Sequence, residues 1–291
     1  MNASLMALMA CMSFALGSQF FTHYSRRFSP LWMNATKAVV ASMFFGAIVF
    51  VTSGFHSIEI DNFWLFFISG FIGLGIGDIF LLKSFKEIGP GRTMLLFGFN
   101  PVIVGILSYL FLNQTLDQSK LIGIIFFIVC IIIFSVENFK INKSWGIAGL
   151  SFAFIGMAMD ATGILITRLA FDQNAQLTSF EGNFYRCIGA IISYMIIRVF
   201  VNFHFIKHFK ESTNRTRAYI FIGAILGTVI SLSFYLKAIQ IADNLATVTA
   251  ISITSVLFSG LFECIWTKKM PSKYLLTALV FFLIGMKFVL F

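Results

Sequence analysis

GLGIGDIFLLKSFKEIG, residues 73 to 89, sets an aspartate and a lysine inside a run of glycines and large apolar residues. What Asp78 and Lys83 do there depends on the solvent around the run, and composition settles that first. Of the 291 residues, 58% are hydrophobic and only 11% are charged, with a mean hydropathy of +0.91. A soluble domain carries about a quarter charged residues, so the chain reads as one that lives in a bilayer. Its 38 phenylalanines and 4 prolines suit long apolar helices. Cys11, Cys130, Cys187 and Cys264 all stand in apolar segments without paired spacing. They read as small packing residues, not as a disulfide framework or zinc site.

A spanning helix needs about 20 mostly apolar residues. Ten such runs are separated by polar, charged or Gly/Pro breaks: roughly 3–21, 31–52, 62–84, 92–111, 121–136, 146–168, 179–200, 218–239, 244–264 and 274–290. The expected fold is therefore an all-α polytopic membrane protein with ten transmembrane helices. MNASLMALMA has no positively charged start of the kind a signal peptide shows, and is read as the first helix. The connectors are short, the longest being HFIKHFKESTNRTR around 204–217.

Short loops rich in Lys and Arg stay cytoplasmic. The loops after the odd-numbered spans hold 13 such residues, including Arg26, Arg27, Arg92, Lys140, Lys143, Lys207 and Lys210, whereas the other side holds Lys120 alone. This bias places both termini outside the cytoplasm. It also accounts for the net charge of +9 without nucleic acid as a partner, because the basic residues are spread over five loops.

Shifting the chain by 154 residues sets LKSFKEI (82–88) on LKAIQIA (236–242) and Gly73 on Gly227, with five identities in the 17 positions from 69 to 85. NPVIVGILSYLFLNQTL from Asn100 then falls on TSVLFSGLFECIWTKKM from Thr254 without a gap. Upstream, a shift of 149 aligns Asn34 with Asn183 and Lys37 with Arg186. The expectation is two five-helix repeats, 1–138 and 145–291. An odd number of spans makes the second repeat enter the membrane from the other side, an inverted arrangement suited to alternating access.

Several motifs in order carry a resemblance. They are Gly17-Ser18 in the first span, SPLWMNATKAVVAS with a basic residue in the second, and the Gly-rich third span running into FLLKSFKEIG. NPVIVGILSYLFLNQTL before a polar turn completes the set. Together they resemble the EamA family of the drug/metabolite transporter (DMT) superfamily. The resemblance implies a ten-helix secondary carrier of a small metabolite, amino acid or drug, usually an exporter, in the bacterial inner membrane. It implies no enzyme activity and no cofactor. The chain departs from the family pattern at Leu16, where a tryptophan is usual, and at Gln114, where a glutamate is common. Ser255 stands at the second repeat's proline position, which leaves a kink there open. The family's habit of cytoplasmic termini is also opposite to the charge count.

Ionisable residues inside a membrane are rare, usually face the bundle interior and mark functional sites by default. Asp78 and Lys37 fall on one side of the bilayer midplane, and Asp160 and Arg186 on the other, each roughly 4 to 8 Å from it. These four are the candidates for binding substrate or coupling to protons, since a carboxylate partly stripped of water can exchange protons during a cycle. The competing reading is pairs that only neutralise one another. Lys83 and Lys237, near span ends, read as interface anchors. Gln19, Asn34, Asn100 and Asn183 can offer hydrogen bonds to a solute or join helices. Gly70, Gly73, Gly75 and Gly77 read as a close-packing face, and Pro101 as a kink.

His204, His208 and Glu211 have a metal-like spacing, but they stand in a basic loop and read as solvated. No hydrolase, P-loop or dinucleotide fingerprint occurs, so no metal site or catalytic residue is assigned. The reading is a secondary transporter with a small-molecule solute, membrane lipids and protons as partners. The alternative on the same fold is a translocator of a lipid or lipid-linked precursor.

Overall fold

The computed structural model describes residues 2–25, 29–52, 54–88, 90–139, 146–201 and 213–290. Arg26, Arg27, Lys140, Lys143, Lys207 and Lys210 of the charge count lie outside the described residues, as do His204, His208 and Glu211.

Among the described residues ten helical elements follow one another: α1 (Ala3–Ser25), α2 (Pro30–Thr52), α3 (Ile60–Ile88), α4, α5 (Gln118–Phe139), α6 (Ile147–Gln173), α7 (Ser179–Phe200), α8 (Asn214–Ile241), α9 (Leu245–Thr267) and α10 (Lys273–Leu290). α4 is two pieces, Pro90–Phe97 and Asn100–Leu112. Eight of the ten are long and apolar enough to span a bilayer, and the rest is supplied by the shorter apolar helices Asn100–Leu112 and Gln118–Ile133. Most helices run past the apolar stretches that announced them, because the polar residues at their ends stay helical.

Lipid tails are as apolar as the helix surfaces, so close packing and hydrogen bonds must hold such helices together. The third helix of each set of five lies on the first two of the other: α3 packs on α6 and α7, and α8 on α1 and α2. Both crossings are made at glycine. A Cβ on Gly17 of α1 would fall on the Gly227 backbone of α8, while Gly163 of α6 crosses α3 with its Cβ position 3.2 Å from the Gly73 Cα. Gly70 and Gly75 lie against the Arg186 carbonyl and the Ser193 side chain of α7, so the glycine face packs closely. α5 and α10 pack chiefly on each other, with Phe127 beside Phe282 at 5.7 Å between ring centroids.

Neither α3 nor α8 is a continuous α-helix. Gly70–Gly77 in α3 and Ile225–Ile230 in α8 are wound as π-helix. A π turn frees backbone groups, and in a bilayer these must be satisfied by the protein itself. Tyr194 of α7 donates its hydroxyl to the Leu74 carbonyl inside the first π segment at 2.8 Å. Asn183, also on α7, donates to the Leu232 carbonyl just past the second at 2.9 Å.

α4 and α9 break at matching places. The α4 break is at Gly98 and Phe99, directly before Asn100-Pro101. In α9, which has no proline there, Thr254 interrupts the helix and turns its hydroxyl back to the Ile251 carbonyl. The open question at Ser255 is thus answered one residue earlier: a threonine hydroxyl holds the break that proline marks in α4.

Candidate functional site

The α1, α4, α6, α8 and α9 helices enclose a cavity of about 250 Å³ at the centre of the bundle. Asn100, Asp160, Ser231, Tyr235, Thr249 and Ser252 give it a polar lining, and Phe14, Met94 and Phe97 an apolar one. The helix breaks build part of this wall, since Asn100 starts the second piece of α4 and Ser255 starts that of α9.

Asp160 on α6 accepts a hydrogen bond at Oδ2 from the Asn100 side chain at 2.7 Å, which fixes one carboxylate oxygen on the cavity wall. Asp78 follows directly on the π segment of α3. It accepts a longer bond, 3.4 Å, from Asn34 of α2. Asn34 also meets the Tyr194 side chain, so a chain of polar contacts runs from Asp78 back to the π segment that precedes it.

Arg186 on α7 is only 2% exposed, yet its Nε and Nη1 have no hydrogen-bond partner. Uncommitted donors on a buried cation are costly, and they are set for a ligand or for water. The acids and bases do not form two separate pairs. Asp78 feels the charges of Lys37, Asp160 and Arg186, and Asp160 feels that of Arg186. Ion pairs join His56 to Glu181, Lys120 to Asp117 and Arg168 to Asp172. Arg186 and Asp160 act on each other without forming an ion pair.

The remaining candidates divide. Asn34 and Asn100 address the two carboxylates. Gln19 donates to the Ser259 carbonyl and hydroxyl of α9, both at 2.9 Å, and Asn183 holds the Leu232 carbonyl, so these two join helices. Lys83 lies between the Phe80 and Phe152 rings, 5.4 and 5.5 Å from their centroids, as an exposed anchor can. Lys237 instead turns inward and donates to Gln240 at 2.9 Å. No group of three or more His, Cys, Asp or Glu able to hold a metal occurs among the described residues.

Three polar residues were not singled out from the sequence. Tyr235 lines the cavity close to Asp160 and Arg186. Glu181, fully buried, caps α7 through Thr178 and ties down the loop before α3 through the His56 amide at 2.7 Å. Arg168 donates to the carbonyls of Ile239, Gln240 and Ala242, closing the C-terminal end of α8. TSFE at 178–181 is a capping-box pattern and was legible; the other two were not.

The EamA-like transporter family profile matches residues 1–136 and again 147–291. A protein of Archaeoglobus fulgidus described as an uncharacterized transporter is 24% identical over 258 residues, covering 82% of this chain and 88% of its own. A crystal structure of a protein with 12% sequence identity superposes with a TM-score of 0.79 over 99% of this chain and 96% of that one. At that identity the likeness speaks for the fold.

Proposed function

Since the chain belongs to the EamA-like transporter family, and is thus a multi-pass membrane transporter, we propose that it is a secondary carrier that exports a small metabolite or amino-acid-like solute by alternating access. The central cavity is the solute site, Asp160 and Asn100 contact the solute, and Asp78 exchanges the proton that drives the cycle. Lys37 and Arg186 hold both carboxylates in a charged network that reorganises when a proton or solute arrives. One observation carries this reading: two half-buried acids, a half-buried lysine and a buried arginine act on one another inside the helix bundle, and the cluster reaches the cavity through Asp160. The cavity suits a solute of amino-acid size better than a bulky one, since drug-sized ligand pockets begin at about 300 Å³. The proposed setting is a bacterial inner membrane.

The test is transport by the reconstituted protein after a pH jump, screened over pools of metabolites. Asp78→Asn is expected to lower pH-driven transport by about tenfold or more while solute counterflow persists. Wild-type driven transport in that variant would refute proton exchange at Asp78. A second assay addresses the network. Lys37→Asp and Asp78→Lys each abolish transport, and the double variant recovers part of it; no recovery would separate the two residues functionally.

A further inference from the structure

A second and larger cavity, about 820 Å³, opens between α2 and α8 at the end of the bundle where α2 finishes and α7 begins. Its polar wall is formed by Thr52, Gln176, Ser179, Ser233, Lys237 and Gln240. Below them Ile48, Phe180 and Phe234 are apolar. α8 separates it from the central cavity: Ser231, Leu232 and Tyr235 face the centre, whereas Ile230, Ser233, Phe234 and Lys237 face this vestibule.

Lys237 gives the vestibule its charge. Its ammonium donates one hydrogen bond, to the Gln240 Oε1 at 2.9 Å, and Gln240 is itself held by donating to the Leu177 carbonyl at 2.9 Å. An ammonium has three donors, so two remain. The buried acid of α7, Glu181, is committed to His56 and Thr178, and Lys237 forms no ion pair within 4 Å among the described residues. The α7 N-terminus adds no net positive charge, because the Glu181 carboxylate sits in its first turn. Its capping box satisfies the Glu181 amide, and Ser179 and Phe180 of the same first turn line the cavity.

Depth completes the description. Lys237 stands four residues before the end of α8, about 6 Å from it along the axis, which is the level of lipid headgroups when α8 spans the bilayer. A cation and several hydroxyls lie above an apolar floor that opens between two helices. We propose that this vestibule binds the anionic phosphate headgroup of a phospholipid from the adjoining leaflet, with an acyl chain laid along Ile48, Phe180 and Phe234. The site is separate from the solute site and does not depend on what the central cavity carries.

The experiment is lipid retention by the purified full-length protein in detergent, read by native mass spectrometry. Phosphatidylglycerol and phosphatidylcholine with identical chains are offered together, with and without inorganic phosphate. The wild type is expected to retain phosphatidylglycerol preferentially. Lys237→Gln should weaken that preference about fivefold, the weight of one lysine at an anionic surface, and Lys237→Arg should keep it. Lys83→Gln, a change at an exposed lysine, should leave it unaltered. Ser233→Phe fills the cavity from its wall and should reduce retention of both lipids while thermal stability reports that the protein is folded. Equal retention of the two lipids, an equal effect of Lys83→Gln, or loss of the preference only through competition by inorganic phosphate would overturn the proposal.

Discussion

α3 and α8 occupy matching positions, cross their partners at glycine and are both wound as π-helix near the middle, yet they end that segment differently. After the α3 π segment comes Asp78; at the matching position of α8 stands Leu232. Asn34 and Asn183, which also match, reach these two positions. Asn34 meets a carboxylate at 3.4 Å, whereas Asn183 meets a backbone carbonyl at 2.9 Å. The architecture thus needs an asparagine from the second helix of each set at this point, but it does not need an acid. Asp78 is an addition to a scaffold that α8 completes with backbone alone, and this is why it is proposed as the proton site.

The comparison is broken most severely at the crossings. Gly17 meets the Gly227 backbone with no room for a methyl group, whereas a Cβ on Gly73 finds the Gly163 Cα at an ordinary 3.6 Å. Gly17→Ala is expected to cost about 1–3 kcal/mol through overpacking, and Gly73→Ala to stay within about 1 kcal/mol. Thermal unfolding in detergent measures both. Equal losses would mean that the two crossings are equivalent.

A smaller effect separates the asparagines. Asn183→Ala removes the side-chain bond to the Leu232 carbonyl and should destabilise by about 1.5 kcal/mol. Asn34→Ala removes the long bond to Asp78 and the contact with the Tyr194 side chain but touches no helical backbone group, so its melting temperature should stay close to wild type while pH-driven transport changes. If Asn34→Ala melted as low as Asn183→Ala, the division between scaffold and function would fail.

The smallest effect concerns the helix breaks. Thr254→Val deletes the hydroxyl that bonds the Ile251 carbonyl and the Cys11 thiol, at a cost of about 1 kcal/mol. Thr254→Ser should retain the wild-type stability. Hydrogen exchange of the amides around 250–258 reads the difference directly; matching exchange in the two variants would show that the break holds without the hydroxyl.

Much of this was open to reading in one dimension. The hydropathy runs located every helix, and the 154-residue shift set Gly73 on Gly227, the two glycines at which the crossings occur. The buried charges were visible as exceptions in apolar runs. The π segments were not visible: GFIGLGIG and ILGTVI are as apolar as any neighbouring turn, and the bonds from Tyr194 into the first and from Asn183 just past the second come from a distant helix. Lys237 and Lys83 looked alike because both stand near a span end. One proved to be wedged between rings at the surface and the other to line a cavity, since helix rotation separates them.

The sequence by itself determined the solvent, the number of helices and the inventory of polar groups committed to the membrane, because these depend on local composition and length. Only the tertiary structure decided which of those groups meet. Asn100 reaches Asp160 across 60 positions and Gln19 reaches Ser259 across 240. Such partners are chosen by how each helix is rotated and how closely glycine lets it approach its neighbour, and both are settled only when all the helices pack at once.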